Sequence, residues 1–285
     1  MSTSENPAFV FIHGGWHNAH CWDKVTAFLK DRDYASVAFD LPGAGENAKC
    51  PESFYKRPVD PTTFGTEPSP NAGTTQAERT QATLDAIDKA TKSGNGKVIL
   101  VGHSLAGLTL SPAVQHSPDK VQAVVYLSAY MLPNGMPAGA IFEDKSMAGS
   151  QVMGLMLANP AKVGALRLDN HSSDSGYLGK IKSAFYGDLS DDDFKLALDN
   201  LHCDEPAAVV RVPSDITSDK FGTVARHYIR CTQDNAIPIT GQDHMIALVD
   251  ANMGNQTTTH TLETSHSSFY SQPEKLVDIL VSIAG

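Results

Sequence analysis

Three side chains of this sequence, in the order Ser104, Asp234 and His266, could together perform nucleophilic acyl transfer. A serine hydroxyl attacks a carbonyl carbon only weakly until a neighbouring base, usually a histidine, removes its proton. A carboxylate commonly orients that histidine and stabilises the imidazolium that forms. The order serine, acid, histidine is found where the serine sits on a strand-to-helix turn. The sequence therefore predicts Ser104 as nucleophile, Asp234 as acid and His266 as base.

Ser104 lies in the segment 102–107, GHSLAG, directly after the apolar run 98–101. This segment is close to the Gly-x-Ser-x-Gly pattern of a nucleophile elbow, with Gly102 two residues before the serine and Gly107 three residues after it. Such an elbow exposes the serine oxygen above the sheet, and glycines leave room for its strained backbone. Since the pattern alone is weak evidence, the acid and base must support it.

Asp234 and His266 each follow a predicted strand, 227–231 and 257–262 respectively. Open α/β sheets build their sites at the edge where the carboxyl ends of the strands lie. We therefore expect both side chains to lie on the same side of the sheet as Ser104.

The competing histidines and aspartates occupy less suitable positions. His244 falls within a predicted helix, and His260 lies inside a predicted strand. Asp219 precedes its strand, whereas Asp243 and Asp250 lie on helix-like sequence. These positions favour Asp234 and His266.

Acyl transfer also needs two backbone N–H groups that bind the oxyanion of the tetrahedral intermediate. One should belong to Leu105, the residue after the nucleophile, and the other to Gly15, in the loop after the first strand. A competing interpretation treats His13-Gly14-Gly15 as a simple tight turn.

Large apolar or aromatic side chains near the site could line a substrate pocket. The candidates are Trp16, His17, Met131, Met153 and Met156.

Strand-like and helix-like segments alternate along the chain, which predicts an α/β fold with a mostly parallel sheet. The predicted strands are 8–12, 36–40, 98–101, 121–127, 227–231 and 257–262. The predicted helices are 22–31, 75–93, 105–115, 242–249 and 274–283.

Two stretches interrupt this alternation. Residues 46–74 are rich in proline and predict a long irregular loop, whereas residues 130–222 lack strand patterns and predict a helical cap over the site. The cap divides the core into a first part, 1–129, and a second part, 223–285. An ordinary helical subdomain is the competing interpretation of 130–222.

Composition limits the classes of partner. The net charge of −10, without a Lys/Arg cluster, argues against nucleic acid, and no apolar run reaches the length of a membrane helix. The N-terminus lacks the pattern of a secretory signal, and the four scattered cysteines are typical of free thiols. We expect a soluble cytoplasmic protein that acts on a small molecule. Its state as monomer or homodimer stays open.

No cofactor is expected, metal or organic. His13, His17 and His20 have a spacing that could suit metal ligands on a helix. However, His13 belongs to the predicted oxyanion loop, which argues against a metal site there.

These motifs together resemble the α/β-hydrolase superfamily. The chain is most similar to the branch of plant methyl-ester esterases, hydroxynitrile lyases and bacterial pyrethroid-type carboxylesterases. The resemblance implies the α/β-hydrolase fold, with a helical cap inserted after the strand that follows the elbow. It covers most of the chain and rests on the segments 13–15, 40–45, 102–107, 124–129, 231–238 and 265–276. The proline-rich insertion departs from the plant members, so their substrates are not implied.

The resemblance also favours a serine esterase over a lyase. The hydroxynitrile lyases place a lysine directly after the catalytic histidine and a threonine in the oxyanion loop, where this chain has Ser267 and Gly14. Relatives with an aspartate nucleophile are excluded by Ser104. The expected reaction is hydrolysis of small to medium apolar carboxylic esters through an acyl-enzyme. An amidase or lactonase, a carbon–carbon lyase and a non-catalytic binding protein are the alternatives.

Overall fold

A six-stranded parallel sheet forms the centre of the computed structural model, which describes residues 5–285. Three of its inner strands, 8–12, 98–103 and 121–127, are largely apolar and buried, as expected where helices cover both faces of a sheet. The predicted α/β-hydrolase fold with a parallel central sheet is confirmed. In the spatial order β2-β1-β3-β4-β7-β8, the strands are Ser36–Phe39, Ala8–Ile12, Val98–His103, Val121–Leu127, Ala225–Cys231 and Thr258–Leu262.

Helices pack on both faces of the sheet, and side chains that alternate along β1 enter the two cores. Val10 and Ile12 pack on the face covered by the helices Gln76–Ala90, Gly107–His116 and Ile239–Asp250, whereas Phe9 and Phe11 face the helices Asp23–Lys30 and Pro273–Ala284. The predicted helices end within a few residues of the observed ones. The eleven described helices, α1 to α11, are Asp23–Lys30, Pro61–Thr66, Gln76–Ala90, Gly107–His116, Ala138–Phe142, Pro160–Val163, Ser175–Phe185, Asp191–Asp199, Ile239–Asp250, Ser268–Ser271 and Pro273–Ala284.

The register of the sheet brings the ends of its central strands to one edge. Ile12 of β1 lies opposite Gly102 of β3, and His103 lies opposite Leu127 of β4. On the other side, Cys231 of β7 lies opposite the last residue of β8. The loops after β1, β3, β4, β7 and β8 therefore leave the sheet close together.

The cap segment, residues 130–222, is not purely helical as predicted. It contains α5 to α8, and also an antiparallel pair formed by β5, Ala165–Arg167, and β6, Asp204–Pro206. We call this pair the cap ribbon. Sequence patterns did not reveal it because each strand is only three residues long and carries charged side chains that read as exposed. Arg167 and Asp204 are instead buried against each other as an ion pair.

The proline-rich segment 46–74, predicted as irregular, contains α2 and two short 3₁₀ turns and is docked on the cap ribbon. The buried Arg167 guanidinium donates to the backbone carbonyls of Phe64 and Glu67, the latter at 2.8 Å. The Ser69 amide donates to the Val163 carbonyl at 2.7 Å. Because these contacts satisfy buried polar groups, they fix the segment to the cap rather than leaving it as a free loop.

Two observations concern the predicted environment of the chain. Across residues 5–285, no helix has both the length and the apolar character needed to cross a membrane. The four cysteines, Cys21, Cys50, Cys203 and Cys231, are free thiols in the structure.

Candidate active site

Ser104 begins the tight turn that joins β3 to α4. Its φ is 55°, in the left-handed region that non-glycine residues rarely adopt, which costs roughly 1–3 kcal/mol. Its carbonyl oxygen accepts a hydrogen bond from the Tyr130 amide at 3.0 Å, which ties the turn to the start of the cap. The side chain is only half-buried and faces a cavity. This is the strained strand–turn–helix geometry that the sequence predicts.

The two glycines of the segment are required by close packing. A Cβ on Gly102 would lie 2.8 Å from the Leu110 side chain. A Cβ on Gly107 would overlap the backbone carbonyl of Tyr130. The first contact is with a flexible side chain, but the second is with backbone and cannot be relieved locally. Gly107 is therefore the more constrained of the two.

Replacing Gly107 with alanine is expected to lower the free energy of unfolding by about 1–3 kcal/mol or more, because the new methyl group collides with backbone. The matched control is Gly179→Ala, at an exposed position within α7 where a Cβ meets nothing within 4 Å. That variant should gain about 0.5–1 kcal/mol, since alanine favours the helix. Urea unfolding measures both, and equal stability of the two variants would contradict the packing argument.

His266 and Asp234 form a buried hydrogen-bonded pair that packs against His103, the residue before Ser104. His266 Nδ1 lies 2.7 Å from Asp234 Oδ2, and the residues are only 1% and 5% exposed. The other carboxylate oxygen accepts the amides of Ala236 at 2.7 Å and Ile237 at 2.8 Å. Because Asp234 Oδ2 is an acceptor, His266 donates from Nδ1, which leaves Nε2 as the basic nitrogen of the neutral ring.

Ser128 is a site residue that sequence reasoning missed. Its hydroxyl donates to Asp234 Oδ2, the same oxygen that accepts from His266. Ser128 directly follows β4 and has a φ of 38°, so a strained turn aims its side chain at the carboxylate. Its position after a central strand was the available signal.

His103 packs beside His266, and His17 packs beside His103, both as neutral rings. The rings of His103 and His266 lie 4.3 Å apart, and His103 Nε2 is 3.0 Å from the His266 carbonyl. Burial holds the pKa of His103 well below its usual value and lowers the pKa of His17 to about 3. His103 can therefore donate from Nε2 and support the His266 backbone without placing a charge beside its ring.

The loop after β1 lies against the elbow. A Cβ on Gly14 would lie 2.8 Å from the Cβ of Ser104, so only glycine leaves this approach open. Gly15 and Leu105 both line the cavity that Ser104 faces. Leu105 is the second residue of the 3₁₀ turn that starts at Ser104, where backbone amides lack partners within the helix. The two N–H groups predicted for an oxyanion therefore belong to residues beside the same cavity.

The cavity has a volume of about 400 Å³ and a mostly apolar wall. Of the predicted pocket residues, Trp16, Met153 and Met156 line it. Sequence reasoning missed most of the other apolar wall residues, because their contact with the site depends on the fold of the cap. These are Phe142, Met147, Val152, Leu166, Phe185, Val210 and Ile237.

The structure places two predicted pocket residues elsewhere. Met131 is fully buried in the core between the sheet and its helices, because Tyr130, one residue earlier, takes the position on the cavity wall. His17 is buried behind the loop after β1, where its Nε2 lies 2.8 Å from the Tyr186 hydroxyl and its Nδ1 bonds the Gly15 carbonyl at 2.9 Å. His17 thus supports this loop from behind.

The competing acids and bases lie away from this cavity. Asp243 pairs with Arg230 and Asp250 with Arg226, both at 2.7 Å. His260 lies 3.1 Å from the His227 ring on the outer strands of the sheet. None of the three candidates lines the cavity next to Ser104.

A family model agrees with this architecture. The model of the alpha/beta hydrolase family matches residues 9–279. The chain therefore belongs to the alpha/beta hydrolase family, and the resemblance noted in the sequence is confirmed.

Similar proteins include several plant esterases. The chain is 25% identical to methylesterase 7 of Arabidopsis thaliana, covering all of this chain and 98% of that protein. It is 27% identical to esterase PIR7B of Oryza sativa subsp. japonica, with 100% and 98% of the two chains covered. Three other Arabidopsis thaliana relatives, named as chloroplastic methylesterases, are longer, and the chain spans 64%, 57% and 57% of their length.

Solved structures share the fold. A pyrethroid hydrolase from Sphingobium faniae JZ-2 superimposes with a TM-score of 0.74 at 21% identity, covering 98% of this chain and 97% of the other. The methylesterase MES16 from Arabidopsis gives 0.68 at 23% identity, covering 97% and 98%.

Proposed function

We propose that this protein is a serine hydrolase that cleaves carboxylic esters through an acyl-enzyme. The observation that carries the proposal is the buried His266–Asp234 pair, 2.7 Å apart, which packs on His103, the residue before a left-handed serine that faces an apolar cavity. A strained serine and a buried acid–base pair are both unfavourable for folding, and they occur together where nucleophilic catalysis needs them. The names of the related esterases support the same reaction class.

Each group has a defined role in the proposed cycle. Ser104 Oγ attacks the ester carbonyl carbon while His266 Nε2 takes its proton. The N–H groups of Gly15 and Leu105 bind the oxyanion that forms. The tetrahedral intermediate collapses as His266 returns the proton to the leaving alcohol. Water, activated by the same histidine, then attacks the acyl-enzyme and releases the carboxylic acid.

Asp234 holds the ring of His266 in the tautomer that this cycle needs. Its carboxylate oxygens are satisfied by two amides, the Ser128 hydroxyl and His266 itself. Four donors hold the carboxylate in place, so it orients the ring and stabilises the imidazolium electrostatically.

The size and apolar wall of the cavity favour neutral apolar esters of small to medium size as substrates. Within the described chain its wall contains no charged side chain, and its polar groups come from residues such as Ser104, Ser150 and Tyr130. An acyl group with a carboxylate or ammonium would lose its hydration there without a partner. Ser267, the residue after His266, is likewise uncharged, which argues against a lyase that must stabilise departing cyanide.

Turnover of p-nitrophenyl esters with acyl chains from acetyl to dodecanoyl is expected to peak at medium length. The value of kcat/KM should rise as added methylenes fill the cavity, by up to several-fold for each buried CH₂. It should fall once the acyl chain is longer than the cavity. A mono-ester of a dicarboxylic acid with the same carbon count serves as the charged control and should be a poor substrate. Hydrolysis of amides or lactones with no ester turnover would contradict the proposal.

A further inference from the structure

Trp16, the residue after the proposed oxyanion donor Gly15, is held by three hydrogen bonds to the cap. Its φ is 62°, so its backbone is strained in the same way as that of Ser104. Its amide donates to Glu205 Oε2 at 3.1 Å, and its indole N–H donates to the Leu166 carbonyl at 2.8 Å. Its carbonyl accepts the amide of His202 at 2.9 Å. All three partners belong to the cap ribbon or the residues directly before it.

Glu205 is fully buried and forms an ion pair with Arg79 of α3. Arg79 Nη1 lies 2.5 Å from Glu205 Oε1, and Arg79 Nε donates to the Pro42 carbonyl at 3.1 Å. His202 Nε2 lies 3.5 Å from Oε2. Burial alone would raise the pKa of Glu205, but the Arg79 guanidinium and the nearby His202 ring outweigh it and lower the pKa to about 2. Glu205 is therefore a carboxylate that joins the cap, α3 and the loop after β1.

A buried ion pair of this kind is weak evidence for a stabilising role. The desolvation of two charges often exceeds their attraction, and an apolar pair of the same volume is commonly as stable. What an apolar pair cannot supply is an acceptor for the Trp16 amide. This difference separates a positioning role for Glu205 from a purely structural one.

We propose that Glu205 is a positioning residue that sets the geometry of the oxyanion hole from the cap. The Trp16 amide belongs to the peptide plane that follows Gly15, and glycine itself imposes little restriction on its backbone. Glu205 and His17 Nδ1, the latter 2.9 Å from the Gly15 carbonyl, hold this plane. The His17 amide donates to the Gly14 carbonyl at 3.2 Å and so holds the preceding plane, which carries the Gly15 N–H. With both planes that flank Gly15 held, the direction of its N–H is set, and Glu205 is the anchor that comes from the cap. The cap then contributes to transition-state binding as well as to the cavity wall. This inference rests on the proposed function.

Two double variants separate the effect of the hydrogen-bond acceptor at position 205 from the effect of the two buried charges. In Glu205→Gln with Arg79→Met, both charges are removed but the amide oxygen can still accept from the Trp16 N–H. In Glu205→Leu with Arg79→Met, the acceptor is removed as well. Neither variant leaves an unpaired buried charge in this ion pair, so both are expected to fold, which thermal unfolding checks.

The readouts are kcat and KM for a p-nitrophenyl ester and the inhibition constant of a trifluoromethyl ketone, whose tetrahedral adduct needs the oxyanion hole. The leucine variant is expected to lose roughly 10²-fold in kcat, with KM changed little and the inhibitor weakened in parallel. The glutamine variant should retain kcat within about tenfold of wild type, since a neutral acceptor replaces a charged one.

Wild-type kcat in the leucine variant would overturn the inference about Glu205. Equal losses in the two variants would also overturn it, because the acceptor would then make no difference. These outcomes leave the proposed function intact. Absence of ester turnover in the wild type would instead refute the proposed function itself.

Discussion

Ser104→Ala is expected to lower kcat for a p-nitrophenyl ester by roughly 10⁴-fold or more, because no other group can form the acyl-enzyme. The fold should survive, since alanine removes only the hydroxyl from a residue whose backbone is held by the Tyr130 amide. Steady-state kinetics measure the effect, and unfolding curves confirm the native state.

The matched control is Ser53→Ala, which removes a buried hydroxyl from the proline-rich segment outside the cavity wall. Its turnover should stay close to that of the wild type. If Ser104→Ala kept wild-type turnover, the nucleophile would have to be another residue and the proposed mechanism would be wrong.

His266→Ala is expected to reduce kcat by roughly 10⁴-fold or more, since it removes the base that activates the serine and the acid that protonates the leaving alcohol. It also leaves the buried Asp234 carboxylate without one of its donors, so unfolding must be measured beside activity. Added imidazole should restore part of the turnover if the deleted ring creates space beside Ser104.

His260→Ala provides the control for this substitution. His260 lies on β8, the strand that leads to His266, but its ring packs against His227 away from the cavity. Its variant should remain active. Comparable losses of kcat in the two histidine variants would show that His266→Ala acts by disturbing the sheet and not by removing the catalytic base.

The parts of the site that could be predicted from sequence depend on local signals. The apolar run 98–101 before Ser104 indicates a buried strand. Gly102 and Gly107 then permit a tight turn that a residue with a Cβ would block. Asp234 and His266 could be placed because each follows a strand of the same parallel sheet. Strand ends and chain order were therefore enough to bring the acid and the base together.

The site residues that could not be predicted from sequence depend on contacts between segments that lie far apart in the chain. Glu205 reads as a surface charge in the sequence, and only the folded cap ribbon brings it to Trp16 and Arg79. Ser128 and Met131 show a second limit of prediction from sequence, because residues only three positions apart in the same loop face different surroundings. The hydroxyl reaches Asp234, whereas the methionine enters the core.

Labelling with a fluorophosphonate, followed by mass spectrometry of the peptides, shows whether Ser104 is the nucleophile. The reagent phosphonylates a serine only when a neighbouring base activates it, so it reports the nucleophile without knowledge of the natural substrate. We expect one adduct per chain, located on Ser104, and strongly reduced labelling in His266→Ala. An adduct on another residue, or ester turnover that persists in protein whose Ser104 is fully modified, would contradict the proposed mechanism.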